Sequence, residues 1–215
     1  MTTDNNLFQK IVMSDQVEVI DDFFQDTSFF FQTLSHKQTK KIPGVNYSGE
    51  VIWFFDQDLE KVSALVMAKF PDIDEKLLHA RLRVTTKDHN NTQTSYIHSD
   101  PDEIRIVVYL QLPPDTEKQG TYFYVHPRNN SRKIPLNLSV KEHFIQQALT
   151  ADKYFSEWTC WKEVEPKTNR AVIFDGHLFH SGPLNFSGSA EFPRVTLECA
   201  VSRKDSSGRI APTAP

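Results

Sequence analysis

The sequence predicts a mainly β chain of the α+β class, a barrel or jelly roll with helices packed outside it. Three observations carry that expectation. In the second half, apolar residues recur at every second position in several short runs, as strands with one apolar and one polar face require. Ahead of them lie stretches whose apolar residues follow helical spacing. The composition, 16 Phe beside 3 Met and 7 Gly in 215 residues, leans towards sheet.

Taken in chain order, Val17, Val19 and Phe23 predict a short strand running into a helix after Asp21 and Asp22, with Phe24, Phe29, Phe30, Phe31 and Leu34 as candidate buried positions. A second helix is expected from Asp58, where Leu59, Val62, Leu65, Val66 and Phe70 share one face until Pro71 stops it. From Leu78 the period becomes two. Leu78, Ala80, Leu82 and Val84 fall on one face and His79, Arg81, Arg83 and Thr85 on the other. The clearest strand is Ile104 to Leu112, closed by Pro113-Pro114, with Arg105, Val107, Tyr109 and Gln111 opposite its aliphatic face. Thr121 to Val125 is a third strand. Glu163 to Phe174 reads as strand, a turn at Pro166 to Asn169, then strand. In the last one, Val195, Leu197, Cys199 and Val201 oppose Arg194, Thr196 and Glu198.

The expected organisation is one domain over residues 1–205. It has a helical N-terminal part (about 15–75), core strands (about 77–202) and an insertion (about 129–161) whose 140–149 stretch has helical periodicity, followed by a mobile tail at 206–215. A formal charge of −4 argues against a broad basic surface for nucleic acid. Two cysteines, Cys160 and Cys199, are too few for a disulfide framework or a four-thiolate zinc site. With no apolar segment near the roughly 20 residues that span a bilayer, the expectation is a soluble, cytoplasmic protein without a membrane partner.

Chemistry concentrates in two places. Tyr96-Ile97-His98-Ser99-Asp100 precedes the clearest strand, and His177-Leu178-Phe179-His180 follows the turn after Phe174. On an extended segment, His98 and Asp100, two apart, project to the same side and can share one metal. A second histidine completes the 2-His-1-carboxylate triad of non-haem Fe(II) sites. His180, at the start of the following strand, is favoured over its neighbour His177 for that place. His-x-Asp arises by chance in chains of this composition, so the order of the pieces carries the reading.

That ordered set, Tyr-Ile-His-Ser-Asp (96–100), Arg-Ile-Val-Val-Tyr-Leu (105–110), Gly-Thr-Tyr-Phe-Tyr (120–124), Asn-Arg-Ala-Val-Ile-Phe-Asp-Gly-His-Leu-Phe-His (169–180) and Arg-Val-Thr (194–196), resembles the Fe(II)/2-oxoglutarate-dependent dioxygenase superfamily, in its prolyl-hydroxylase-like branch. The resemblance implies a double-stranded β-helix core. It also implies Fe(II) held by His98, Asp100 and His180, with Arg194 pairing with the distal carboxylate of 2-oxoglutarate and Thr196 adding a hydroxyl. Tyr96 or Tyr109 would donate to the same carboxylate. The segment Phe186 to Pro193 would loop out to absorb a long gap before Arg194, and His177 would lie at the rim. Arg105 reads either as a salt-bridged strand residue or as a substrate contact. The activity implied is hydroxylation of a small-molecule, amino-acid or peptide substrate using O2, with release of succinate and CO2. Two other classes stay open: a non-catalytic jelly-roll binding protein, and a cupin-like metalloenzyme that does not use 2-oxoglutarate.

Overall fold

The computed structural model of the chain describes residues 7–41, 49–70, 77–89, 97–100, 103–114, 119–127, 129–134, 157–183 and 185–202. In these segments the elements run α1 (Leu7–Ser14), β1 (Val17–Ile20), α2 (Ser28–His36), β2 (Lys40–Lys41), β3 (Glu50–Trp53), α3 (Asp56–Met67), β4 (Leu77–Thr85), β5 (Glu103–Gln111), β6 (Thr121–Val125), β7 (Thr159–Val164), β8 (Arg170–Asp175), β9 (His180–Ser181) and β10 (Arg194–Ser202). No described helix is long and apolar enough to cross a membrane.

Seven strands form one antiparallel sheet in the order β1-β8-β5-β10-β4-β3-β2, and three form a second in the order β7-β6-β9. From β5 onwards the chain passes back and forth between the sheets: β5, β8 and β10 lie in the first, β6, β7 and β9 in the second. That alternation is the jelly-roll winding the sequence predicts.

The two faces of the large sheet have different partners. Ala80 and Leu82 of β4, Ile104, Ile106, Val108 and Leu110 of β5, Ala171 and Ile173 of β8, and Val195, Leu197, Cys199 and Val201 of β10 are buried against Ile11, Phe23, Phe24, Phe30, Phe54, Val62, Val66 and Phe70. The helices therefore sit on the outer, aliphatic face. Burial there pushes the Cys199 thiol up to about 12, so it packs as a small hydrophobe, as expected. The opposite face looks into the space between the sheets, where Tyr109, Val172 and Phe174 meet Phe123 and Val164 of the small sheet.

Several boundaries differ from expectation for local reasons. Helix α2 begins at Ser28 rather than just after Asp22, because Asp26 accepts both the Ser28 backbone N–H and its hydroxyl at 2.8 Å. Asp21 is engaged elsewhere, with Lys167 (2.9 Å) and Arg170 (2.6 Å). Between them Asn169, at φ 62, accepts from Phe24 N (3.0 Å) and donates to Phe24 O (2.8 Å). The turn before β8 thus anchors the N-terminal aromatic cluster to the sheet. Helix α3 ends at Met67, four residues short of Pro71, where Lys69 N–H donates to Val66 O and Phe70 N–H to Met67 O. Strand β7 starts at Thr159 rather than Glu163 and so includes the end of the expected insertion. The short elements α1, β2 and β3 carry too little periodicity to be predicted. The expected 140–149 helix and 206–215 tail lie outside the described residues.

Gly120, at the entry to β6, approaches β7 so closely that a Cβ there would stand 2.0 Å from Val164 O. Only glycine fits that contact. In the outer core, Phe30 is 1% exposed and packs on Phe24 at 5.0 Å and Phe54 at 6.4 Å between centroids. Phe30→Ala is expected to cost about 3–5 kcal/mol through lost burial and the cavity left behind. Chemical denaturation of the two proteins checks this. A loss under about 1 kcal/mol would mean that α2 is not part of the cooperative core.

Candidate metal centre

Strand parity and one backbone bridge assemble the site. His98 N–H donates to His180 O (2.9 Å) and His180 N–H to His98 O (2.8 Å), an isolated antiparallel bridge between segments about eighty residues apart. His180 also opposes Phe123 across β6 and β9. Two residues beyond His98, Asp100 N–H donates to Gly176 O at 2.6 Å. The ligand atoms of His98, Asp100 and His180 consequently all lie within 4.8 Å of one another, so the three predicted ligands converge on one point.

The chemistry of this donor set suits a hard or borderline divalent ion. His180 Nδ1 donates to Leu178 O at 2.8 Å, which leaves Nε2 with its lone pair 3.5 Å from Asp100 Oδ2. Neighbouring ligands about 2.1 Å from an octahedral ion stand about 3 Å apart, so that pair needs little adjustment to share one. The His98 and His180 rings are 4.3 Å apart, and Phe174 (4.7 Å) and Phe123 (6.5 Å) flank His180. Burial alone would raise the Asp100 carboxyl, but the Arg105 guanidinium, with His180 and His98 nearby, outweighs it and holds it well below the usual range. Asp100 is therefore an anion ready to bind a cation.

His177, the local rival, is 4% exposed rather than at the rim. Its backbone N–H reaches Asp175 Oδ1 at 3.1 Å and its Nδ1 lies 3.2 Å from the same oxygen. It shapes the turn leading to His180 and does not join the three ligands. Further along, Lys133 bridges Leu178, Phe179 N–H donates to Arg132 O (2.9 Å) and Ile134 N–H to His177 O (3.0 Å). The segment 129–134 thus braces the turn from the other side.

Arg194 and Thr196 lie in the same interior, 4% and 0% exposed. The Arg194 guanidinium sits 5.3 Å from the Tyr109 ring and 5.9 Å from Phe186. Among the described residues, its Nε and the Thr196 Oγ1 are buried atoms with no hydrogen-bond partner. Burial lowers the Arg194 pKa from its ordinary value, against weaker opposing contributions from Tyr109 and Glu198. A buried cation and a buried hydroxyl left in this condition fit an anionic ligand that the described residues do not supply. Tyr109 is fully buried beside Arg194, its OH 2.7 Å from Thr121 Oγ1. Tyr96 lies outside the described residues. The segment before Arg194 is an irregular loop with Phe192 57% exposed, and its first part packs on the site: Phe186 lies 5.9 Å from the guanidinium, Lys87 N–H donates to Gly188 O (2.7 Å), and a Cβ on Gly188 would come within 3.1 Å of Thr85 O and 3.0 Å of Arg194 N.

The motif reading did not anticipate a charged network on the same wall. Glu198, two residues past Thr196, receives Arg81 (2.7 Å) and Arg83 (2.8 Å). Burial would raise its carboxyl, yet Arg83, Arg81 and Arg105 hold it at about 2. Arg83 is thereby committed to Glu198, while Arg105 is the salt-bridged strand residue of the first sequence reading, its Nε 3.3 Å from Asp100 Oδ2. Strand parity could have found this network, since Arg81, Arg83 and Glu198 all fall on the polar face of their strands.

Among known proteins, the model of a family described as "Family of unknown function (DUF6445)" matches residues 8–196. No curated protein matches the sequence. Several solved structures share the fold. HygX from Streptomyces hygroscopicus, with nickel and 2-oxoglutarate bound, is 14% identical, with 92% of this chain and 91% of that one covered at a TM-score of 0.56. SnoK, a non-heme alpha-ketoglutarate-dependent carbocyclase from nogalamycin biosynthesis, is 10% identical over 88% and 80% at 0.55. SnoN, the alpha-ketoglutarate-dependent epimerase of the same biosynthesis, is 9% identical over 87% and 76% at 0.53. These belong to the superfamily that the motifs resemble.

Glu198→Ala leaves two buried guanidinium groups sharing no carboxylate and is expected to destabilise the fold by about 3–5 kcal/mol. Because its folded pKa is depressed from 4.5 to about 2, the Glu198 contribution is complete above pH 4.5 and is lost as pH falls towards 2. Denaturation curves at pH 7 and pH 3 check both statements. Parent and variant differing equally at the two pH values would contradict the second.

Proposed function

The chain belongs to the DUF6445 family, and we propose that it is an Fe(II)- and 2-oxoglutarate-dependent oxygenase that hydroxylates a small-molecule, amino-acid or peptide substrate. In this reading His98, Asp100 and His180 hold the metal through imidazole nitrogens and one carboxylate. Arg194 takes the distal carboxylate of 2-oxoglutarate in its planar fork, and Thr196 adds a hydroxyl from two residues along the same strand. Tyr109 packs against the guanidinium and limits where that carboxylate can lie. The single observation that carries the reading is Arg194: a buried guanidinium with an unpartnered Nε beside the unpartnered Thr196 hydroxyl, in the interior that also contains a complete 2-His-1-carboxylate set. A cupin-like site working without an oxo acid would have no use for that cation, and a purely structural jelly roll none for the triad.

When bound, the iron and its co-substrate supply oxidation by O2, coupled to decarboxylation of 2-oxoglutarate to succinate and CO2. The protein's own groups bind, orient and exclude water. Leu178 O holds the His180 ring in the tautomer whose Nε2 faces the ligand position, and Phe123 and Phe174 shield that side. The folds of HygX, SnoK and SnoN serve more than one outcome, so hydroxylation rests on product analysis: gain of one oxygen atom supports it, and an isomer or a ring-closed product removes it while keeping the class.

Two expected outcomes test the reading. His98→Ala, Asp100→Ala and His180→Ala each abolish tight binding of one Fe(II) per chain, while His177→Ala retains it, as measured by metal analysis after anaerobic dialysis. Retention in all three triad variants would remove the metal site. Arg194→Ala weakens 2-oxoglutarate binding by about 2–5 kcal/mol, roughly 30-fold or more, with iron still bound, and Arg194→Lys recovers part of it. Anaerobic titration of the Fe(II) protein, followed by the metal-to-ligand absorption band, reads this directly. Absence of the band in the parent protein would remove the oxygenase reading.

A further inference from the structure

The three ligands are held by different contacts. The two histidines are tied by their mutual backbone bridge, and the His180 ring is also fixed through Nδ1. The backbone of Asp100 has its bond to Gly176 O, but that bond leaves the two side-chain torsions undetermined, and the side chain is 27% exposed. Arg105 stands beside this carboxylate. It lies on the inward face of β5, opposite Phe174 of β8 and Ala200 of β10, with its side chain 9% exposed. Its Nε is 3.3 Å from Asp100 Oδ2, the same oxygen that faces His180 Nε2 at 3.5 Å. From its other end, Nη1 reaches to 3.3 Å of His79 Nε2 on β4, and the His79 ring packs edge-on to Trp53 at 5.6 Å. One planar group thus spans from the large sheet's inner wall to the metal-facing oxygen.

We propose that Arg105 is a positioning residue for Asp100, holding its carboxylate in the orientation that completes the metal site. This rests on the reading of Asp100 as a metal ligand. Two opposed effects make the sign of the result informative. A cation this close to a divalent ion repels it, so if Arg105 mattered only through its charge, removing it would tighten metal binding. If it orients the ligand, removing it loosens binding, as loss of partners around metal ligands does, by 10- to 100-fold in known sites.

The test compares Arg105→Met, which keeps the stem and loses the charge and donors, with Arg105→Lys, which keeps a cation. Mn(II) affinity is measured by calorimetry, the coordination of bound Co(II) by its visible absorption, and the apo-protein melting temperature by circular dichroism. The expected result is a roughly 10-fold or greater loss of Mn(II) affinity in Arg105→Met with an altered Co(II) spectrum, smaller losses in Arg105→Lys, and melting temperatures close to the parent's. Unchanged or tighter Mn(II) binding in Arg105→Met overturns the proposal. Equal losses in both variants accompanied by a lowered melting temperature also overturn it, because Arg105 would then support the fold alone. A parent protein that binds no Mn(II) would instead remove the underlying metal reading, which distinguishes the two failures.

Discussion

The two-residue period of the large sheet is the constraint on which the molecule depends. Along β4, β5, β8 and β10 every second side chain enters the aliphatic layer beneath the helices, and every other one enters the space between the sheets. A slip of one residue in β10 would carry Arg194, Thr196 and Glu198 into contact with Phe30, Val62 and Val66, and place Val195 and Leu197 where the guanidinium now stands. Burial of the outer face therefore sets the register, and the register sets which polar groups meet inside. Stability and site geometry are consequences of the same alternation.

Inside, the polar groups divide into paired and unpaired sets. Arg81 and Arg83 converge on Glu198, a triad in which one carboxylate is shared at short range by two guanidinium groups. Such a triad is costly to break but adds modest net stability, and here it stiffens the wall on which Thr196 and Arg194 are carried. Arg105 faces Asp100, a carboxylate that a metal would also claim. Arg194 is surrounded by aromatic rings, and its unpartnered Nε departs from the rule that buried charge is compensated. Departures of that kind concentrate at binding sites, where the missing partner arrives with the ligand.

The similarity to HygX, SnoK and SnoN is a similarity of winding. One winding can carry different chemistries, as the epimerase and the carbocyclase among these neighbours illustrate, so the winding by itself does not decide a reaction. Here the described wall beyond Arg105 includes Trp53, His79 and Arg81, with the Arg81 guanidinium 5.0 Å from the Trp53 ring. Burial, with Arg105 and Arg81 nearby, lowers the His79 pKa to about 4, so this ring is neutral at physiological pH and presents an uncharged, polarizable surface.

Much of the fold was legible before any coordinates. The strands around Leu82, Val108, Phe123, Ile173 and Leu197 show their pleat directly in the sequence, because each spans enough residues for a period of two to stand out. Their polar faces, and with them Arg194 and Thr196, were legible for the same reason. That His98, Asp100 and His180 would meet was expected from the ordered set of motifs and the resemblance it carries, since a two-residue spacing by itself arises by chance. The remainder depended on contacts between distant segments. Nothing local could bring Asn169 to Phe24 across 145 residues. Nor could local sequence distinguish a buried His177 braced by Asp175 from one at the rim, or bring Phe186 to the Arg194 guanidinium. Arg105 shows the division most clearly: its strand and face follow from its own neighbours, but its partner is decided by where the chain returns. Periodicity is a property of a segment, whereas pairing is a property of the packed chain, so the sequence alone determined which residues face inward and the tertiary structure alone decided which of them meet.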